Sequence, residues 1–362
     1  MLDASGAAAL LRRRRWHGVV VVNYHRIGDG SLSSFDRNAW TATAEAFDEQ
    51  VAFAARNFDL VTPDELVEAA RGGRGRYAMI TFDDGYRDNH DVALPILRSH
   101  GARATFFVTT GFVDEPRRPW WDEIAWMART TSATAIPAGG WLEQAVVLGD
   151  GDRLEAITTL TDRYKSLPGE RADAYLEFLA EATGAGRCQG GTEEWMTWDM
   201  VRRLRDEGMC VGAHTVTHPV LANHPPERQR DEIAVSKRRL EQELGESVTS
   251  FSYPEGTPAA FDARTRAIVH ELDFELAFSF YGGWRRFVER AVHESVRVDD
   301  RVRPPQPSRN VRHWQNGEMA LRWTAAGMLE AEPQFRRIIG CRDLAKLTTV
   351  IDRELDQPTV LT

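Results

Sequence analysis

The sequence predicts an α/β protein: a distorted barrel of seven to eight β/α units with an inserted, mostly helical segment and a helical C-terminal extension. Three observations predict it. Apolar and β-branched runs of strand length, such as Val19-Val20-Val21-Val22 and Ala104-Thr105-Phe106-Phe107-Val108, alternate with stretches of helical apolar spacing. Several runs end in titratable residues that lead into glycine-bearing loops, as at the C-terminal rim of a parallel barrel. Finally, 362 residues that are 42% hydrophobic and 27% charged can bury a sizeable core, while no apolar stretch approaches the ~18 residues of a membrane helix.

Val19 to Tyr24 is the first strand, and His25-Arg26-Ile27-Gly28-Asp29-Gly30 is the loop it enters. Phe47, Val51, Phe53 and Ala54 recur at helical spacing within Ala44 to Phe58. Thr62-Pro63-Asp64-Glu65-Leu66 starts a helix with an N-cap and a proline at its first position. Tyr77 to Phe82 is a buried strand that runs into Asp83-Asp84-Gly85. Val92 to His100 reads as a helix closed by Gly101, and Ala104 to Val108 as the next strand. Strand, helix and strand at this spacing imply parallel pairing.

From about 111 to 194 the rhythm breaks, and this segment is expected to be an insertion packed on the barrel. Trp120 to Met127 is an aromatic helix, Leu142 to Leu148 forms part of a hairpin, and Thr158 to Tyr164 and Arg171 to Thr183 are amphipathic helices. Tryptophans at helical spacing fit a buried face better than a sugar platform. Thr197 caps a helix through Arg205, and Met209 to Ala213 is a strand entering His214-Thr215-Val216-Thr217-His218. Pro225 to Leu244 is a long charged helix with Ile233, Val235, Leu240 and Leu244 as its apolar residues. Val248 to Tyr253 is a strand that ends in Pro254-Glu255-Gly256. A helix over Phe261 to Leu272 and strands at Phe274 to Phe280 and Glu294 to Val298 complete about seven strands. Residues 1–17 form a basic N-terminal segment and 18–300 the barrel. Arg301-Val302-Arg303-Pro304-Pro305-Gln306-Pro307 is a stiff link into the extension over 301–362.

The formal charge of -9 argues against a nucleic-acid binder, which needs a net basic face. Cys188, Cys210 and Cys341 are too few and too scattered for a disulfide framework or a zinc ribbon. At the N-terminus an apolar run precedes Arg12-Arg13-Arg14-Arg15, the reverse of a secretory signal, so a cytoplasmic location is expected. The arginines leave room for peripheral contact with an acidic membrane surface; no transmembrane segment is predicted.

Adjacent carboxylates repel unless a cation lies between them. A divalent metal on one leaves the other free as a base, an arrangement for metal-assisted hydrolysis. A plain Asp-Asp-Gly turn is the alternative. Histidines four residues apart, as at His214 and His218, put two imidazole nitrogens on one side of a helix or tight loop. These two motifs, His25 and Tyr253-Pro254-Glu255-Gly256 all fall at predicted C-terminal strand ends.

On these residues the chain resembles the polysaccharide deacetylases of the NodB-homology type, carbohydrate esterase family 4, over roughly Val19 to Val298. The motifs that carry the resemblance are Thr81-Phe82-Asp83-Asp84-Gly85 and the His-x-x-x-His of His214 and His218. It implies that Asp83 is the catalytic base and that Asp84, His214 and His218 hold one divalent metal. That donor set suits zinc and also accepts cobalt or nickel. Most members carry the catalytic-acid histidine late, where only His293 stands here. A permuted subset places that strand first, and Val22-Asn23-Tyr24-His25 resembles it, which makes His25 the acid.

Ser252-Tyr253-Pro254-Glu255-Gly256 departs from the family's usual Arg-x-Pro-Tyr-Gly form, with no arginine and a glutamate in place of the aromatic residue. Arg297 then becomes the candidate to orient Asp83. Tyr253, Pro254 and Glu255 form the substrate and oxyanion segment, through the backbone N–H of Glu255. The implied reaction is hydrolysis of an N-acetyl group on an amino sugar, an N-acetylated glycan or a glycoconjugate, releasing acetate and a free amine. Two alternatives stand beside it. One is cleavage of another amide or ester, on a small glycoside or lipid-linked intermediate. The other is a carbohydrate-binding protein of the same fold with impaired turnover, which Glu255 and the missing late histidine would favour.

Overall fold

Strands buried on both faces read as unbroken apolar runs, and β1 (Gly18–Tyr24) shows why. Val20, Val22 and Tyr24 face the layer of helices, while Val19 and Val21 pack on the opposite side near Met79. The computed structural model describes residues 18–66, 75–149, 151–188, 190–191 and 193–280, with the backbone alone of 285–286 and 322–323. The expected strand at Glu294 to Val298, Arg297, the segment 1–17 and the helices expected in 301–362 lie outside the described residues.

After β1 come β2 (Arg26–Ile27), β3 (Trp40–Ala42), α1 (Ala44–Asn57), β4 (Asp59–Leu60) and β5 (Arg76–Phe82). They are followed by α2 (Leu94–Ser99), β6 (Thr105–Val108), α3 (Thr110–Asp114), α4 (Trp120–Thr130), β7 (Ala135–Ile136) and β8 (Val146–Val147). Then come α5 (Leu154–Lys165), α6 (Ala172–Thr183), α7 (Trp198–Asp206), β9 (Cys210–Ala213), α8 (Pro226–Leu244), β10 (Ser250–Ser252), α9 (Ala263–Glu271) and β11 (Leu276–Phe278). The main sheet runs β11-β10-β9-β6-β5-β1, with every neighbour on this path parallel, and β4 joins β5. Arg285–Arg286 and Arg322–Trp323 pair antiparallel with β1. The sheet curls into a half-barrel.

Helix starts follow local chemistry. The Thr43 hydroxyl accepts from Ala46 N and caps α1, and Thr197 does the same for α7. Asp262 and Thr265 form a reciprocal capping box on α9. The helix expected over Val92 to His100 is present as α2, and a π-turn at Asn89–Ala93 leads into it. Pro95 sits in the first turn of α2, where a proline is tolerated. On α8, Val235 is exposed, and the buried stripe contains Gln229, Glu232, Ile233, Ser236, Leu240 and Leu244.

Aromatic residues tie the strands to the helices. Tyr24 meets Phe47 edge-on at 4.9 Å, and Phe82 stacks on Phe106 at 4.7 Å. A second apolar cluster fills the connection between β6 and β9 and contains Trp120, Trp121, Ile124, Leu160, Tyr175 and Trp195. The tryptophans of α4 are therefore core residues. Register then fixes the rim. Tyr24 is level with Phe82, Val108 with Ala213, and Ser252 with Phe278, so the residues after these positions emerge along one edge.

Candidate active site

Asp83 continues the strand ladder by one residue, donating its N–H to Tyr24 O at 2.9 Å. The chain then turns sharply, with φ of 77° at Asp84 and 90° at Gly85. A side chain in this left-handed region is strained, and such residues persist where the surroundings hold them. Thr109 N supports the turn by donating to Asp84 O at 3.2 Å. Both carboxylates are buried, at 5% and 3% exposure for Asp83 and Asp84.

The histidine loop leaves β9 at Ala213 and is also left-handed at Thr215 and His218, with φ of 66° and 56°. Its backbone is accounted for bond by bond. His214 N donates to Val108 O, Thr110 N to Thr215 O, and Gly111 N to Val216 O. Gly111 allows that approach, since a Cβ there would stand 2.4 Å from Val216 O. Thr215 Oγ1 accepts from His218 N at 3.1 Å. From α8, the buried Glu232 carboxylate accepts from Val216 N at 2.9 Å, Thr217 N at 2.8 Å and Thr217 Oγ1 at 2.6 Å. A buried carboxylate thus ties down the loop that carries both histidines.

His214 Nε2 and His218 Nε2 lie 3.4 and 3.3 Å from Asp84 Oδ1. The Nδ1 of His214 is 2.8 Å from Ser252 O, and a carbonyl can only accept, so Nδ1 carries the proton. In its neutral form the ring then aims the Nε2 lone pair at a carboxylate oxygen that is itself buried and lacks a hydrogen-bond partner. Lone pairs converging on one point call for a cation. Asp84, His214 and His218 each offer a ligand atom within 4.8 Å of the others, and all three are buried, so the donor set fits a divalent metal. The Ser252 carbonyl supplies the outer hydrogen bond that metal-binding histidines commonly make.

Burial pushes Asp83 up to about 6, against the pull of His214 and bonds from Asn23 and Ser252. Burial also disfavours charge on Asp84, but His218, His214 and His25 outweigh it and hold its carboxyl well below the usual range. Two neighbouring carboxylates are thereby separated, one kept ionised and the other able to exchange a proton near neutral pH. Burial lowers His218 to about 4. For His214 the neighbouring carboxylates overcome burial and raise it.

His25 stands at the end of β1, half-buried and near enough to Asp84 to act on its charge. Its backbone is fixed by Thr41 Oγ1 and by Asn89, whose Nδ2 donates to His25 O at 2.6 Å from the π-turn. Tyr253 N donates to Phe278 O, while its ring stacks on Phe261 within the core. Pro254 is buried and Glu255 half-buried, with Glu255 close enough to act on His218. The strand ends therefore bring Asp83, Asp84, His214, His218, His25 and the 253–255 segment to one rim. Arg297 lies outside the described residues; among those described, Asn23 and Ser252 Oγ bond Asp83.

Sequence reasoning missed Glu232 and Trp121. Trp121 meets the His218 ring edge-on at 4.7 Å and donates Nε1–H to Tyr86 OH at 3.0 Å, so it walls the histidine in. Glu232 had a readable signal, a carboxylate in phase with Ser236 and Leu240 on the buried stripe of α8. Trp121 had none, because its contact spans two elements far apart in sequence.

The family model described as polysaccharide deacetylase matches residues 70–136 and 157–277. The Bacillus subtilis (strain 168) protein YxkH, named as a polysaccharide deacetylase, is 20% identical over 240 residues, covering 65% of this chain and 56% of that protein. The poly-beta-1,6-N-acetyl-D-glucosamine N-deacetylase of Escherichia coli (strain K12) is 28% identical over 114 residues, 30% of this chain and 16% of that protein. The chain thus spans little more than half of the first of these relatives and a small part of the second. Among solved structures, the Streptococcus pyogenes deacetylase PplD in complex with acetate aligns with a TM-score of 0.49 and 19% identity, covering 74% of this chain and 86% of that one.

Proposed function

This chain belongs to the polysaccharide deacetylase family, and on that premise we propose that it is a metal-dependent N-deacetylase of an amino sugar within a glycan or glycoconjugate. The observation that carries the reading is the meeting of His214 Nε2 and His218 Nε2 at Asp84 Oδ1, beside a second buried carboxylate pushed up to about 6. Asp84, His214 and His218 would hold the metal, with zinc the first candidate and cobalt or nickel suited to the same donors. A divalent cation there supplies positive charge that polarises the amide carbonyl and makes water easier to deprotonate.

The chain's own residues divide the remaining work. Asp83 takes the proton of the attacking water as its oxygen bonds to the acetyl carbon, and Asn23 and Ser252 hold the carboxylate in place. Arg297 is proposed as a further orienting group. The backbone N–H of Glu255 donates to the carbonyl oxygen as negative charge grows on it. His25 donates a proton to the sugar nitrogen as the C–N bond breaks, leaving acetate and a free amine. Trp121 and the buried rim keep bulk water from the histidines.

The Escherichia coli relative is named for poly-β-1,6-N-acetyl-D-glucosamine, which makes oligomers of that sugar the first substrates to test. Acetate release is measured with zinc restored, across N-acetylated monosaccharides, oligosaccharides and nucleotide-linked sugars. Turnover that disappears with a chelator and returns with metal supports the reading; bound metal without release on any of these rejects it. Among the described residues no helix is long and apolar enough to cross a membrane.

A further inference from the structure

Glu255 has φ of 60° and Gly256 follows at 54°, so two consecutive residues adopt a conformation that L side chains rarely take. For Gly256 the fit is natural. A Cβ there would stand 2.5 Å from Phe280 N, and Phe280 N donates to Gly256 O at 2.7 Å. Glutamate gains nothing from the left-handed region, and its side chain is engaged by another part of the chain. Lys165 Nζ lies 2.5 Å from Glu255 Oε2 in a partly buried ion pair, and 5.6 Å from the centre of the Trp120 ring.

Lys165 is the last residue of α5, a helix end that favours positive charge. Its main chain is held as well, because Asn223 Nδ2 donates to Lys165 O at 2.7 Å. Four residues on, a Cβ at Gly169 would fall 1.9 Å from His224 Cε1, so this turn packs closely on the segment that follows His218. The β6–β9 connection is therefore anchored beside the histidine loop and reaches from there to Glu255.

We infer that Lys165 is a positioning residue, which holds Glu255 so that its backbone N–H points into the site. This rests on the deacetylase reading above, in which that N–H meets the developing oxyanion. On this view the β6–β9 connection helps complete the site that the strand ends begin.

The test compares the zinc-loaded protein with its Lys165→Met and Lys165→Arg variants, by acetate release and by amide hydrogen exchange at Glu255 and Gly256. Losing alignment of one oxyanion donor, rather than the donor itself, should lower kcat roughly tenfold with KM unchanged. Exchange at the two amides rises in Lys165→Met, and Lys165→Arg restores both measures. In a Glu255→Gly background, where the turn needs no clamp, Lys165→Met adds no further loss. Unchanged exchange overturns the inference. So does a raised KM at constant kcat, or an equal loss in the glycine background, either of which makes Lys165 a substrate contact. Wild-type protein that releases no acetate rejects the functional reading alone, and exchange still decides whether Lys165 holds the turn.

Discussion

Removing the Glu232 carboxylate should loosen both histidines without touching them. It is 1% exposed and accepts from two backbone N–H groups and one hydroxyl of the 216–217 segment. Its other partner, Arg228, pairs with it at 2.6 Å but is 52% exposed and can turn to water. Hydrogen bonds to an ionised acceptor contribute about 1.5–3 kcal/mol each, and three that share one carboxylate add to less than their sum, so Glu232→Ala should cost about 3–4 kcal/mol. Glu232→Gln keeps one acceptor oxygen but turns an NH2 group toward a donor, so roughly half that loss is expected. Each 1.4 kcal/mol expressed as weaker ligand positioning lowers zinc affinity about tenfold, so the Ala variant should bind about 100-fold more weakly. Competition with a chromogenic chelator measures the affinity, and thermal unfolding of the metal-free protein separates loop loosening from global loss. Wild-type zinc affinity and an unchanged melting temperature in both variants would refute the argument.

Asp83→Asn should abolish acetate release yet retain metal, whereas His214→Ala, left with two of three ligands, should lose metal; elemental analysis and turnover assays on each variant check this. Asp122 makes stability depend on pH. Burial pushes its carboxyl up to about 8 from an ordinary 3.8, so the folded chain holds the proton more tightly than the unfolded chain. That contribution is complete below about pH 4 and is lost as pH rises through about 8. Asp122→Asn keeps an oxygen for Asp36 N, so its stability should gain on the wild type by a few kcal/mol between about pH 5 and 8, and a gap independent of pH in urea titrations would exclude this. Trp121→Ala removes a buried ring beside His218 and should destabilise by about 3–5 kcal/mol, read from denaturant midpoints, with metal binding weakened too.

Periodicity was enough for the elements. The valines of β1, the capped start of α1 and the glycine-bounded α8 are local patterns, and each sits where its spacing places it. Local reading fell short at the edges of elements. The π-turn at Asn89–Ala93 that leads into α2 has no counterpart in the spacing, and Val235 proved to lie on the exposed side of α8. The second apolar cluster settled the tryptophans of α4 as core, because their neighbours come from α5, α6 and Trp195 rather than from their own helix.

By itself the sequence determined which residue types stand at the strand ends: two carboxylates before Gly85, two histidines four apart, and His25 after an apolar strand. Those are properties of short segments, written in a few consecutive residues. Only the tertiary structure decided what holds them. Ser252 O meets His214 from 38 residues away, Glu232 reaches the histidine loop from the next helix, and Lys165 comes to Glu255 from a different connection. Such partners depend on strand register and helix packing. Parallel strands set side by side in register carry the ends of distant segments to one rim, and packing of the helices then selects which buried charge finds which donor.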